Sequence, residues 1–444
     1  MRPRLASLAR RLTSSASPTY DVAVVGGGVM GAFTALAAAR RGASVALLDQ
    51  FSAGHPHGSS HGDGRIYRLA YTQDHYVDMM LHALPLWQQL EAEIGRPLMA
   101  RTGGLSIARA ASGSLDELGA LYARRGFDHE WLSAGAVNAR FPQFGLTEGE
   151  HEALFLGDFG VLFASRCVEA AWERAAALGA DVRSPFRLAA LRDDGDSATV
   201  VEAEDGQAVR ARAVVLALGA WLSPTAARLF GLQIPTKVTS EVVSYYAPKA
   251  GCEIDHTHRS MPCFLPSELD FPNEVGTQGY YGLPMIGTAD GIAGVKCSAH
   301  YSGPMVHPDA RPETAGGSAA NWRGGGAAEP PLLATTGAGD AAARVEAIVA
   351  STTRYVASTF PHLETTPVAT QQCMYTTTPD FDYVLGRVPS APRVVLAGGG
   401  SGHAFKMGPA IGDCAAALAL GEPPPLPVER FAVDREYVAA RSAR

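Results

Sequence analysis

The chain has little of what would mark it for a secretory, membrane or nucleic-acid role. Its six cysteines, Cys167, Cys252, Cys263, Cys297, Cys373 and Cys414, lie far apart and form no CxxC pair. That argues against a disulfide framework and for a reducing interior or an organelle matrix. No apolar run approaches the roughly 20 residues that a membrane-spanning helix needs. There is no basic excess: the net charge is -7, so nothing points to nucleic acid. Charged residues are only 18% against 47% hydrophobic, which suits a large buried core and excludes a disordered polymer. At 444 residues the chain is too long for one compact core and fits two intertwined domains.

Acidic residues are missing altogether from the start. Arg2, Arg4, Arg10 and Arg11 stand among Ser7, Thr13, Ser14, Ser15 and Ser17, and the first acid is Asp21. A basic, Ser-rich, acid-free segment over 1–17 has the composition of a transit peptide; a ragged terminus is the plainer alternative. Arg4-Leu5 followed by Arg11-Leu12 is also similar to an N-terminal peroxisomal signal, with Arg11 where that pattern wants His or Gln. Ser442-Ala443-Arg444 is not the Ser-Lys-Leu address. The mitochondrial matrix and the peroxisome are the compartments expected.

Asp21-Val22-Ala23-Val24-Val25 is a short apolar run that ends in Gly26-Gly27-Gly28-Val29-Met30-Gly31. It predicts a buried parallel strand, followed by a helix over 32–41 and a second strand over 44–48 that ends at Asp49. In such a βαβ unit Gly26 allows the tight turn, Gly28 lets backbone amides approach a pyrophosphate, and Gly31 lets the helix close on the strand. The phosphate charge then sits at the helix N-terminus. Asp49 stands where an acid accepts a ribose hydroxyl. The pattern predicts a dinucleotide and does not separate FAD from NAD.

Further buried strands are predicted over 160–163, 213–219 and 393–397, with helices over 165–178 and 409–420. Because they recur near the start, middle and end, the nucleotide domain is expected from separated segments, 18–95, 152–232 and 368–436. The segments 96–151 and 233–367, with more aromatic and β-branched character, form the inserted domain. The Gly-, Ala- and Pro-rich stretch 313–340, with Arg323-Gly324-Gly325-Gly326, reads as a flexible surface loop.

Four more stretches admit a plain reading beside a chemical one. Gly58-Ser59-Ser60-His61-Gly62-Asp63-Gly64-Arg65-Ile66-Tyr67-Arg68 is either a solvated polar loop or a backbone run along a ligand. In the second case its two arginines face one carboxylate or phosphate. Lys296 and His300 are either a surface strand end or cations beside a cofactor, where positive charge stabilises a developing anion. Gly402-His403-Ala404-Phe405-Lys406-Met407-Gly408 is either an ordinary turn into a helix or a helix N-terminus set against negative charge. Gln371-Gln372-Cys373-Met374-Tyr375-Thr376 holds a lone cysteine, by itself more often a small buried hydrophobe. Beside a dinucleotide loop it suggests a flavin attached through sulfur.

Taken in order, these pieces resemble the sarcosine oxidase / L-pipecolate oxidase family of amine-oxidising flavoenzymes. The residues that carry the resemblance are Leu47-Leu48-Asp49-Gln50-Phe51, Pro56-His57-Gly58-Ser59-Ser60-His61-Gly62, Arg65-Ile66-Tyr67-Arg68, Tyr281-Gly282-Leu283-Pro284, Cys373-Met374-Tyr375-Thr376 and Gly400-Ser401-Gly402-His403. The resemblance covers about 20–431. It implies an α/β, two-domain (α+β) fold: a Rossmann-like FAD-binding domain of discontinuous segments and an antiparallel-sheet substrate domain, of the glutathione-reductase-like or D-amino-acid-oxidase-like kind. It implies FAD, carried by Cys373 as an 8α-S-cysteinyl thioether and contacted by Gly26, Gly28, Gly31, Asp49, Gln50, Ser60, His61, Arg65, Gly400, Gly402, His403 and Lys406. His61 and Arg65 match residues against the isoalloxazine. Arg68 and Lys406 match the pair that binds a substrate carboxylate. Lys296 matches the lysine where oxygen is activated, and Tyr281, His300 and Tyr375 match other active-site residues. No metal is implied.

The implied reaction is oxidation of a C–H beside a secondary amine to an imine, with electrons passing through FAD to O2 to give H2O2. The implied partners are a small secondary amino acid and O2, and the implied state is a monomer. Leu283 stands where bacterial sarcosine oxidases carry a phenylalanine, which favours L-pipecolate over sarcosine and L-proline. Two departures stand out: the 313–340 stretch is long for the family, and Ala404 replaces a glycine common after the histidine. Competing readings are a dehydrogenase serving a quinone or carrier, and an FAD-bound assembly protein without turnover.

Overall fold

Two uninterrupted apolar runs and the apolar half of a third strand meet at the centre of one sheet. In this computed structural model, which describes residues 19–437 apart from 196–197, 268–269, 271–278, 287–290, 311–320 and 323–337, Thr19–Val25 pairs in parallel with Val45–Leu48 and with Ala208–Leu216. Val22 and Val24 pack into one core and Ala23 and Val25 into another. Both faces are therefore covered, which is why these strands are continuously apolar rather than alternating. Asp181–Arg183 extends the sheet in parallel beyond Val45–Leu48. On the other side, Ala208–Leu216 is shared: its first half pairs antiparallel with Thr199–Ala203, its last residues in parallel with Ala391–Gly398. Leu188–Asp193 and Val384–Val388 complete eight strands.

The Ala-rich helix Val29–Arg40 lies on this sheet and against the equally Ala-rich helix Gly408–Leu420. A Cβ on Gly412 would come 2.6 Å from the Phe33 backbone, so glycine there sets how closely the two helices approach. Beside them lies the helix Asp74–Ile94, which buries Tyr76, Val77, Met79, Met80, Ala83, Trp87 and Leu90 along one stripe.

A nine-stranded sheet stands opposite, in the order Asn321–Trp322, Ala369–Thr377, Lys237–Tyr246, Val295–Ala299, Tyr280–Leu283, Cys263–Pro266, Gly104–Arg109, His151–Leu156, His129–Ser133. Every neighbouring pair is antiparallel except Cys263–Pro266 with Gly104–Arg109. Two of its strands depart from the segments expected from sequence for this domain: His151–Leu156 straddles the boundary at 151/152, and Ala369–Thr377 lies wholly within the expected nucleotide segment 368–436. The second runs in register with Lys237–Tyr246 from Lys237 against Thr377 to Tyr245 against Ala369, and that long ladder ties it to this sheet. A small third sheet joins Arg65–Arg68, Phe159–Leu162 and Met99–Arg101.

The expected targeting segment at 1–17 lies outside the described residues. So does most of 313–340, of which Asn321–Trp322 and the start of the helix Ala338–Thr359 are described. No described helix is long and apolar enough to cross a membrane.

Candidate active site

A cavity of about 660 Å³, lined by residues of all three sheets and the loops between them, falls within the roughly 300–1,000 Å³ usual for small-molecule sites. One end is the glycine turn. Gly26 has φ +96°, and a Cβ on it would lie 2.3 Å from the Ala217 carbonyl oxygen. A Cβ on Gly31 would lie 1.7 Å from the Gly26 carbonyl oxygen, so the helix closes on the turn only because both are glycine. Gly28 caps the helix, and the Val29 amide donates to Ser60 Oγ at 3.1 Å. The Gly27 amide donates to Asp49 Oδ2, while Asp49 Oδ1 accepts from the Phe51 amide at 2.7 Å. Asp49 thus knots the turn to the second strand while its carboxylate stays on the cavity wall with Gln50. Burial raises its pKa, against the two amide bonds that hold it down. Trp172, from the helix Ala164–Ala177, props the turn by donating Nε1–H to the Gly27 carbonyl at 2.7 Å.

The other end is cationic. The chain has only four lysines, and two of them, Lys296 and Lys406, are buried here, where lysine is rarely found. Lys296 leaves the strand Val295–Ala299 and donates Nζ–H to the Gly64 carbonyl at 3.2 Å. Burial, and Arg65 nearby, push its ammonium down to about 7. Arg65 itself donates to the Gly64 and Ser59 carbonyls at 3.0 and 2.9 Å, which fixes the loop between them. Arg68 stands 4.9 Å over the ring of Tyr71, and Lys406 Nζ lies 5.3 Å from the same ring. Lys406 also donates to the His403 carbonyl at 2.7 Å, and burial with Arg68 beside it holds its pKa well below 10.5. Among the described residues no carboxylate comes within ion-pair distance of Arg65, Arg68, Lys296 or Lys406.

Between these ends lies a wall from the nine-stranded sheet. Cys373 and Tyr375 share one face of Ala369–Thr377, and both line the cavity. Tyr375 OH lies 3.3 Å from His300 Nδ1, and the Tyr281 ring centroid lies 5.1 Å from that of His300. Burial, then Arg68, His403 and Lys406, hold His300 well below 6.5, so it is neutral. Leu283, with Ile66 and Leu265, gives the wall its apolar part. The loop 400–406 closes the site. Gly402 has φ +71°, and a Cβ there would strike the Tyr375 ring at 2.4 Å. Ala404 has φ -81° and ψ -20°, ordinary right-handed backbone, so this turn needs no glycine after the histidine.

The structure therefore brings Gly26, Gly28, Asp49, Gln50, Ser60, Arg65, Arg68, Tyr281, Lys296, His300, Cys373, Tyr375, Gly400, Gly402, His403 and Lys406 into the lining of one cavity. Gly31 lies behind it in the helix, and His61, 4% exposed, is buried but does not line the cavity. Several supporting residues carry no motif. His403 Nε2–H donates to the Phe381 carbonyl at 3.1 Å, so Nδ1 is the acceptor for Tyr383 OH at 2.9 Å and Tyr71 OH at 3.3 Å. Burial and Lys406 push His403 down to about 3, which keeps that tautomer neutral. Trp87 donates Nε1–H to the Lys406 carbonyl at 2.9 Å and stacks on Phe405. These tyrosines and tryptophans read in sequence as ordinary core; the stripe of the helix Asp74–Ile94 was the one signal for Trp87.

The site fits FAD. A cradle that any Cβ would fill faces one end, where backbone amides and a helix N-terminus suit a pyrophosphate. Buried cations without carboxylate partners suit an anionic flavin and an anionic substrate at the other. The family model described as FAD dependent oxidoreductase matches residues 21–418. The peroxisomal sarcosine oxidase of Homo sapiens is 29% identical over 416 residues, covering 94% of this chain and 96% of that protein. The monomeric sarcosine oxidase of Streptomyces avermitilis is 30% identical over 408 residues, covering 91% and 94%. The solved structure of NikD, an amino acid oxidase essential for nikkomycin biosynthesis, shares the fold with a TM-score of 0.74 at 23% identity, covering 94% of this chain and 98% of that one. The fold is the two-domain Rossmann-like FAD fold, and the chain belongs to the FAD dependent oxidoreductase family, as a flavin oxidoreductase of the sarcosine oxidase kind that acts on CH–NH groups.

Proposed function

We propose that the protein oxidises a small secondary amino acid to its imine, with O2 reduced to H2O2, and that L-pipecolate is preferred over sarcosine and L-proline. The observation that carries this reading is the pair Arg68 and Lys406, two buried cations flanking Tyr71 without a carboxylate partner among the described residues. A buried cation without an anion is costly, and a substrate carboxylate would supply one.

FAD, when bound, supplies the two-electron oxidation and delivers the electrons to O2. The chain's own residues do the rest. Arg68 and Lys406 hold the carboxylate. Tyr281 and Tyr375, both kept protonated by burial, remain hydrogen-bond donors across the working pH range. His300, kept neutral, orients the amine end without adding charge. Ile66, Leu265 and Leu283 exclude water beside the reacting carbon and leave room for a ring. Lys296, whose ammonium burial pushes down to about 7, is the residue proposed to favour oxygen reduction. Cys373, on the wall beside these groups, is the proposed point of covalent attachment. The residues proposed for the site all come from this one chain, and a monomer is the state proposed.

The test is oxygen uptake with each of the three amino acids. Uptake that catalase partly reverses supports the oxidase reading, because catalase returns half of the oxygen from H2O2. Turnover with quinone or dye acceptors but not with O2 would replace it with the dehydrogenase reading.

A further inference from the structure

Glu241 is a carboxylate that the proposed chemistry does not use. It is 2% exposed and stands directly across the strand pair from Cys373. Its Oε1 accepts from Thr239 Oγ1 at 2.7 Å, and its Oε2 accepts from the amides of Ser302 and Gly303, both at 3.1 Å. Burial raises its pKa, and these three bonds with the Arg344 guanidinium nearby draw it back. Arg344 Nε–H grips the same turn from the other side, donating to the Ser302 carbonyl at 2.7 Å.

The two amides follow directly on His300 and Tyr301. Tyr301 has φ +54°, a left-handed backbone that a side chain this bulky adopts only when its surroundings impose it. Its ring stacks on His300 with centroids 3.9 Å apart and planes 19° apart, and its hydroxyl donates to the Ser401 carbonyl at 2.7 Å. A Cβ on Gly303 would lie 2.3 Å from the Ser240 carbonyl oxygen, so the turn is pressed flat onto the strand that carries Glu241. The position of the imidazole is thus set by the turn, and the turn by the carboxylate beneath it.

We propose that Glu241 is a positioning residue: by accepting the Ser302 and Gly303 amides it holds Tyr301 in its left-handed conformation and so fixes the His300 imidazole on the cavity wall. The kinetic consequence rests on the amine-oxidase reading; the structural consequence does not.

Glu241→Gln keeps the size of the side chain but turns one acceptor oxygen into a donor. With its amide oxygen toward the Ser302 and Gly303 N–H groups, the new NH2 faces the Thr239 hydroxyl, which must turn to accept it, so both backbone amides keep an acceptor that has lost its charge. Amide hydrogen exchange over 300–303 is expected to quicken about tenfold, as loss of a charge-assisted hydrogen bond implies. In anaerobic reduction of the flavin by substrate, the limiting rate is expected to fall about tenfold to a hundredfold through misplacement of His300. The substrate concentration giving half the limiting rate should change less than about twofold, because Arg68 and Lys406 stand on other elements. Should Glu241→Gln fail to fold, Thr239→Val, which removes one donor to the same carboxylate, is expected to show the same pattern at smaller size. Unchanged exchange over 300–303 overturns the proposal. So does faster exchange with an unchanged limiting rate, and so does a loss in which both kinetic terms move together with thermal stability. A wild-type protein that no secondary amino acid reduces counts against the proposed function, and the exchange comparison alone then decides this inference.

Discussion

Arg68 and Lys406 meet across a single aromatic ring, the guanidinium 4.9 Å from the centroid of Tyr71 and the ammonium 5.3 Å from it. Each raises the cost of the other's charge, and Arg68 contributes to the depressed pKa of Lys406. A bound carboxylate relieves both. Arg68→Met and Lys406→Met should therefore each weaken binding of an anionic substrate by about 2–5 kcal/mol, the cost of truncating one member of a buried charge pair. Binding of the corresponding methyl ester should change far less. The sign of the pH effect follows. Carboxylate binding weakens as pH rises through the Lys406 pKa, and Lys406→Met should remove that limb from a titration of binding against pH.

Lys296 is predicted to act on oxygen rather than on the amine. Lys296→Met should slow reoxidation by O2 far more than it slows flavin reduction, and stopped-flow measurement of the two half-reactions checks this. Equal slowing of both would remove the oxygen-site role.

The same lysine makes a stability prediction. Its pKa is about 7 in the folded protein against an ordinary 10.5. Between those values the unfolded chain binds a proton that the folded one does not, so stability rises with pH across the window and is lowest below it. In the flavin-free protein Lys296→Met should raise the melting temperature at about pH 6 and have little effect at about pH 10.5, where the lysine is already neutral when folded. A gain that does not depend on pH would contradict the buried charge.

Cys373→Ser should leave FAD bound in the native protein but extractable by denaturation. Flavin that still travels with the denatured variant on a gel would show that attachment lies elsewhere.

Gly31→Ala puts a Cβ 1.7 Å from the Gly26 carbonyl oxygen, and the backbone of the turn would have to move to admit it. The expected result is loss of about 1–3 kcal/mol of stability, the usual cost of overpacking, together with loss of FAD on gel filtration. A variant that retains both would mean that helix and turn can separate without cost.

The dinucleotide turn is legible in sequence because it is local. Strand, glycines, helix and Asp49 lie within one short stretch, and the geometry of each glycine follows from its neighbours. The pairing of Arg68 with Lys406 is legible only through the family resemblance: the local sequence offers Arg68 as one of two arginines that could face a carboxylate, but nothing local tells a buried lysine from a surface one. The scarcity of lysine in the chain is the signal that was available for Lys296 and Lys406. The membership of Ala369–Thr377 in the larger sheet is not legible, because it rests on pairing with Lys237–Tyr246, distant in the chain. Tyr71, Tyr383, Trp87 and Trp172 escape a sequence reading for a different reason. Large aromatics are the ordinary filling of a core, and only the partner of each hydroxyl or indole N–H separates these from the rest. Asp49 is legible as an acid at a strand end, but not as the group that ties down the Gly27 amide.

Oxidation of a secondary amino acid between these cations and this wall is tested most directly by anaerobic bleaching of the flavin absorbance with L-pipecolate, sarcosine, L-proline and D-pipecolate in parallel. Bleaching is expected to be fastest with L-pipecolate, and admitting O2 to restore the absorbance. Absence of bleaching by all four would contradict this reading and leave an FAD-binding fold without this chemistry.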